Sequence, residues 1–272
     1  MVKEKKKLWL LIGCGALAAL LILGAVLLLM LTRPEDAPEP PQTEETALPP
    51  PAENSLGTAD FAYEGDYLTC LTRPSVLGID VSNHQGDIDF QQVKEAGIRF
   101  VMLRLGNRGT DLGGLYPDER LEQYYADAKA AGLMIGGYFF SQATSPEEAR
   151  EEAEFALTLA ENMELQLPLV YDWEDTGPDS RVAQMDGETV TQCAIAFCDT
   201  VAAAGKQPMV YFNPHTARNL MQLERLTDYG FWLAMYSDEM TFEYRVDMWQ
   251  YTSTGRVPGI EGDVDINLYF PE

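Results

Sequence analysis

Three features of the sequence predict an α/β protein whose main domain is an irregular TIM-like β/α barrel of about eight strands and five helices over residues 76–272. Short apolar runs alternate with amphipathic helical patterns, glycines stand where helices should stop, and acidic residues stand where the apolar runs end. Repeated strand-helix units imply a parallel sheet with right-handed crossovers. Eight strands in a span of that length imply closure into a barrel. A transmembrane helix and a disordered stalk are expected ahead of it.

The chain opens with a basic tail, residues 1–7, carrying Lys3, Lys5, Lys6 and Lys7, and then runs without a charge from Leu8 to Leu31. As a helix that run is about 36 Å long, enough to cross a hydrocarbon core of roughly 30 Å. The apolar core of a cleaved signal peptide is shorter, about 7–15 residues, and no small-x-small cleavage site follows Met30. A lipobox reading of Leu11-Ile12-Gly13-Cys14 fails because the apolar run continues well past Cys14. Lysines before the span, against Arg33 followed by Glu35 and Asp36, place the amino terminus in the cytoplasm and the rest of the chain outside. From 32 to 75 the composition turns to Pro, Glu, Thr and Ala, as in Pro40-Pro41 and Pro49-Pro50-Pro51, and reads as an extended linker between the span and the domain. Residues 61–71 are more apolar than the rest of that linker, and the sequence leaves open whether they pack on the domain.

Within the domain, strands are expected at 76–81, 99–105, 134–141, 167–173, 207–212, 231–236, 246–251 and 263–269, and helices at 90–96, 118–131, 146–163, 187–204 and 216–226. Ser145, Pro146 and Glu148 mark the start of the third helix as an N-cap, a first-turn proline and a capping box. Gly97, Gly132 and Gly205 sit at expected helix C-caps. The last three strands are joined by segments too short or too polar for full helices, hence the irregular barrel.

The whole chain carries a net charge of −24, and residues 76–272 hold 13 Lys plus Arg against 33 Asp plus Glu. Nucleic acid and anionic lipid are poor partners for such a surface, whereas a neutral glycan is compatible. Cys14, Cys70, Cys193 and Cys198 form no evident disulfide framework. With only two histidines and no metal-binding motif, no metal and no cofactor are expected. No G-x-S-x-G or P-loop motif occurs.

The run LPLVYDWED, residues 167–175, ends in Asp172 and Glu174, which a strand would place side by side on one face. Two like charges that close disfavour joint ionisation, so one carboxyl should keep its proton near neutral pH. A solvated strand end explains an isolated D-x-E equally well. That reading weakens because Asp80 ends the first strand and Asp265 lies in the eighth, so that four carboxylates from three strands would converge on one cleft. Arg104, buried at a strand end, needs a partner, and a cleft carboxylate is expected. Tyr138, Tyr211, Trp232 and Tyr236 are candidate sugar platforms, as is Tyr171 more weakly, and Gln250 is a candidate hydrogen-bond partner for a substrate amide. For each aromatic the alternative is core packing, which is also the expectation for Trp249. His84 reads equally as a loop or a site residue.

Several ordered motifs resemble glycoside hydrolase family 25, the muramidases of the Chalaropsis lysozyme type. They are Gly78-Ile79-Asp80-Val81-Ser82 with His84-Gln85-Gly86 and Ile88-Asp89; Gly137-Tyr138-Phe139-Phe140; Asp172-Trp173-Glu174; Trp249-Gln250-Tyr251-Thr252-Ser253; and Val257-Pro258-Gly259-Ile260 with Val264-Asp265-Ile266-Asn267. The resemblance runs from Val76 to Phe270 and departs at Asn83 and Phe90, neither a catalytic position. It implies an irregular barrel that cleaves the β-1,4 bond between N-acetylmuramic acid and N-acetylglucosamine in peptidoglycan. It places the catalytic glutamate at Glu174, with Asp172 as partner and Asp80 and Asp265 completing the acidic cleft. Retention through the substrate's acetamido group and inversion through water both remain open. A chitinase-like hydrolase is disfavoured by Val170, where those enzymes carry an acid, and a catalytically inactive wall-binding module is the other alternative. The expected assembly is a monomer working on the outer side of a bacterial cell membrane.

Overall fold

The structure, a computed structural model, describes residues 48–271. The membrane span expected over 8–31, the basic tail and the first part of the linker lie outside the described residues. Among the described residues no helix is long and apolar enough to cross a membrane.

A two-stranded hairpin, β1 (Phe61–Glu64) and β2 (Tyr67–Cys70), precedes the main sheet. The main sheet contains β3 (Val76–Val81), β4 (Phe100–Arg108), β5 (Leu115–Pro117), β6 (Met134–Ser141), β7 (Leu169–Trp173), β8 (Pro208–Phe212), β9 (Gly230–Ala234), β10 (Met248–Gly255) and β11 (Val264–Tyr269). Their order is β3-β11-β10-β9-β8-β7-β6-β4-β5, and pairing of β3 with β4 closes eight of them into a barrel. Seven barrel strands are parallel, and β11 runs antiparallel to both neighbours, β10 and β3. Five α-helices lie among the described residues: α1 (Phe90–Glu95), α2 (Leu121–Ala130), α3 (Pro146–Leu159), α4 (Gly187–Ala203) and α5 (Pro214–Asn219). The barrel is therefore mixed α/β and departs from a regular eightfold β/α repeat.

Period-two alternation sorts each barrel strand into an inner and an outer face. Phe100, Met102, Val170, Met209, Trp232 and Met248 form the inner cluster, while Ile79, Val101, Leu103, Phe139 and Tyr171 pack outward under the helices. Two inward glycines make room for the plug. A Cβ on Gly78 would lie 2.2 Å from the Phe100 ring, and one on Gly136 2.5 Å from Met102 Sδ. Above this plug the inward positions become polar, and there the cleft begins.

Several elements differ from expectation for local reasons. Helix α2 begins at Leu121 rather than 118, because the Asp118 carboxylate accepts from Arg104 and from the Asn83 and Arg120 amides. In α3, Ser145 Oγ accepts from the Glu148 amide as expected, but Glu148 reaches back to the Thr144 amide at 2.8 Å. The helix expected over 216–226 starts earlier, at Pro214 under the Asn213 cap, and stops at Asn219, with a separate 3-10 turn at Leu223–Arg225.

The folded unit also reaches further toward the amino terminus than position 76, beginning at Leu48. Among the described residues no helix covers the outer face of β10 and β11, and hairpin β1-β2 lies there instead. Phe61 meets Trp249 edge-on at 5.0 Å and Phe270 at 6.4 Å, and Leu68 is buried with its amide donating to the Tyr251 hydroxyl. Just ahead, the Ala52 carbonyl accepts from the Arg245 amide at 2.8 Å, so residues placed in the linker by composition complete the barrel wall.

Candidate active site

At the carboxyl end of the parallel strands is a cleft of about 400 Å³. All four expected carboxylates line it: Asp80 from β3, Asp172 and Glu174 from the end of β7, and Asp265 from β11. Tyr138, Tyr211, Trp232, Tyr236, Gln250 and Arg104 line it too. Asp80 and Asp265 are direct cross-strand partners, which brings two carboxyls together from antiparallel neighbours.

Burial raises the proton affinity of the whole group. Asp172 is 5 % exposed, and burial followed by the charges of Glu174 and Asp80 pushes its carboxyl well above the ordinary range. Glu174 is raised by burial and then by Asp80. Asp265 is pushed up to about 8 by burial, with Asp80 and Glu174 adding to it. Asp80 is pushed up only to about 6, because amide donors oppose the effect of burial.

Those donors form a chain with a determined direction. Gln250 Nε2 and Asn267 Nδ2 both donate to Asp80 Oδ2, at 2.8 and 2.7 Å. The Tyr211 hydroxyl donates to Gln250 Oε1 at 3.0 Å, and the Trp232 indole N–H donates to Asn267 Oδ1 at 2.9 Å. An indole can only donate, so the Asn267 oxygen must face Trp232 and its amide nitrogen must face Asp80. The chain thus favours a charged Asp80, while its three neighbours favour the protonated state.

Some side chains have roles other than those expected. Gln250 holds Asp80 through its amide nitrogen and accepts from Tyr211 at its amide oxygen, so its orientation at the cleft wall is fixed. Trp232 is 1 % exposed with its N–H engaged, whereas Tyr236 is 59 % exposed and presents its ring to the cleft. Arg104 pairs not with a cleft carboxylate but with Asp118, its Nε donating to Asp118 Oδ2 at 2.8 Å and its Nη2 to Asn83 Oδ1. Tyr171 and Trp249 are fully buried outside the barrel. Asn267, buried behind Asp80, was missed as a site residue, although its place two residues after Asp265 puts it on the same inward face. Gln142 was also missed: its Nε2 donates to the Glu174 carbonyl at 2.7 Å and fixes the backbone that carries the glutamate. Oδ1 of Asp172 is buried without a protein partner. No group of three or more acidic, histidine or cysteine side chains among the described residues is arranged to hold a metal ion.

The sequence matches the family described as Glycosyl hydrolases family 25 over residues 79–260. The chain belongs to this family. Among similar proteins, the autolytic lysozyme of Clostridium acetobutylicum is 27 % identical over 71 % of this chain and 55 % of its own length. Lysozyme M1 of Streptomyces globisporus is 28 % identical over 80 % of this chain and 72 % of its own length. Among solved structures, the modular autolysin LytC from Streptococcus pneumoniae, in complex with a synthetic peptidoglycan ligand, superposes with a TM-score of 0.64 at 27 % identity, covering 72 % of this chain and 47 % of LytC. The bacterial lysozyme from Streptomyces coelicolor superposes with a TM-score of 0.57 at 25 % identity, covering 72 % of this chain and 92 % of that protein. This family 25 chain spans about half the length of the Clostridium lysozyme and of LytC.

Proposed function

We propose that this family 25 chain is a peptidoglycan hydrolase, an N-acetylmuramidase cleaving the β-1,4 bond between N-acetylmuramic acid and N-acetylglucosamine, with Glu174 as general acid. The observation that carries this reading is the convergence of four carboxylates from three strands in one cleft, with burial keeping the Glu174 proton available. Glycoside cleavage needs a proton for the leaving oxygen and stabilisation of an oxocarbenium-like centre.

Asp172 favours retention. It lines the cleft together with Glu174, and on this reading its carboxyl accepts the N–H of the substrate's 2-acetamido group, whose carbonyl oxygen attacks the anomeric carbon as Glu174 protonates the leaving oxygen. Water then opens the resulting ring at the anomeric carbon and returns a proton to Glu174. Family likeness to lysozymes supports the substrate class, and the Leu8 to Leu31 run supports placing the domain outside the cell on a membrane anchor.

The test is digestion of purified peptidoglycan by the full chain, with mass spectrometry of borohydride-reduced products and Glu174→Gln alongside. Reduced muramic acid ends with the wild type, and at least about a hundredfold less product with the variant, are expected. Reduced glucosamine ends would reassign the bond cleaved. Proton NMR of the first product formed should show a retained anomeric configuration; an inverted one would remove the acetamido route.

A further inference from the structure

From the cleft a row of paired positions leads across β6, β4 and β5. Asp172 is in register with Phe140, Phe140 with Asn107, and Asn107 with Tyr116. Directly opposed residues on neighbouring strands project from the same face, so these four side chains make one row from the cleft floor to the rim. At about 4.8 Å per strand, Tyr116 stands roughly 14 Å from Asp172.

Tyr116 is 54 % exposed, and its ring occupies the space directly over two glycines. A Cβ on Gly114 would lie 2.7 Å from the phenolic oxygen, and one on Gly109 would lie 3.4 Å from Cε2. Backbone therefore supports the ring from below and leaves it open above. The hairpin beneath it is braced: the Gly109 amide donates to the Gly114 carbonyl at 2.8 Å and the Arg181 amide to the Thr110 carbonyl at 3.0 Å. Arg108 Nη1 donates to the Gly113 carbonyl at 2.9 Å, and Arg108 is itself held by buried Glu152 at 2.8 Å. A ring fixed before binding loses little entropy when a ligand arrives.

We propose that Tyr116 is a distal glycan subsite, holding a sugar of the polymer about three rings from the scissile bond by stacking on its C–H face. This rests on the muramidase reading. The acidic cleft suits a neutral sugar ring, whose C–H hydrogens meet the electron-rich face of the phenol. The site thus distinguishes long glycan strands from short ones rather than taking part in the reaction.

The test compares Tyr116→Ala and Tyr116→Trp with the wild-type full chain on reduced glycan strands sorted by length. With Tyr116→Ala, kcat/KM on long strands should fall about five- to tenfold through KM, while the shortest cleavable oligomer is turned over as before. Tyr116→Trp should keep the long-strand value. Equal losses on short and long strands, or no loss on either, would overturn the subsite. Binding of long strands to Glu174→Gln with and without Tyr116→Ala separates the two readings. If the wild type cleaves nothing yet binding still weakens with Tyr116→Ala, the subsite stands and the muramidase reading fails; if binding is unchanged, the subsite fails.

Discussion

Asp80 shows how a single carboxylate is tuned by the amides and aromatic donors around it. Its Oδ2 receives two amide hydrogens, and each amide is turned the right way by an aromatic donor two strands away, Tyr211 for Gln250 and Trp232 for Asn267. Replacing Asn267 with Leu removes one of those hydrogens and leaves the Trp232 indole N–H buried without an acceptor. The unpaired donor should cost about 1–3 kcal/mol of stability, measured by denaturant unfolding. Loss of the donor should also move Asp80 above its present value of about 6, shifting the acid limb of the pH-activity profile to higher pH. Asn267→Leu with an unmoved acid limb would mean that the charge on Asp80 is not required. The acids themselves were visible in the sequence, because Asp80, Asp172 and Glu174 stand where apolar runs end and Asp265 lies in the last one, near its start. The direction of the amide chain was not, since it depends on which residue of β10 or β9 stands opposite which residue of β11 or β8.

At the scale of elements, what escaped the sequence is what depends on pairing partners. The eight barrel strands carry runs of β-branched and aromatic residues and were legible, whereas β1 and β2 are four residues each within a Pro-, Glu- and Thr-rich stretch. What makes them strands is the uncovered apolar strip of Trp249, Tyr251 and Phe270 on the barrel wall, which no local pattern reveals. Likewise Arg104 was recognised as needing a partner, but Asp118, which supplies it, sits just ahead of α2 and was read as part of that helix. The hairpin's role predicts a sharp boundary for truncation. Burial of Phe61 and Leu68 is worth about 1.5–3 kcal/mol each, so a chain starting at residue 48 should fold cooperatively. One starting at 76 should lose several kcal/mol and expose Trp249, seen as a lowered Tm and red-shifted tryptophan emission. Equal Tm values for the two would show the hairpin to be dispensable.

For the whole molecule, gathering carboxyls in one cleft couples function to stability. Asp80, Asp172, Glu174 and Asp265 all have raised proton affinity in the folded protein, burial being the largest cause for each, and buried Glu152 is likewise pushed up to about 7. In the unfolded chain such groups titrate near pH 4. Between those values the folded state binds more protons than the unfolded one, so unfolding releases protons and stability falls as pH rises. The contribution of Asp265 is fully present below about pH 4 and is lost as pH climbs through about 8. Carboxylates with lowered affinity act in the opposite sense: Glu148, held at about 2 by Arg181 and the Thr144 donors against the pull of burial, loses its stabilising effect as the medium becomes strongly acid. The domain should therefore be most stable in mildly acid solution, with Tm declining steadily from about pH 5 to pH 8. Asp265→Asn carries no charge to be desolvated at the upper end, so its Tm should decline less over the same interval, and the two curves should converge at the acid end. Parallel curves in a calorimetric series would show that Asp265 titrates alike in the folded and unfolded chains. On the proposed reading, a general acid that must stay protonated and a fold that weakens as its cleft ionises make their demands at the same mildly acid pH.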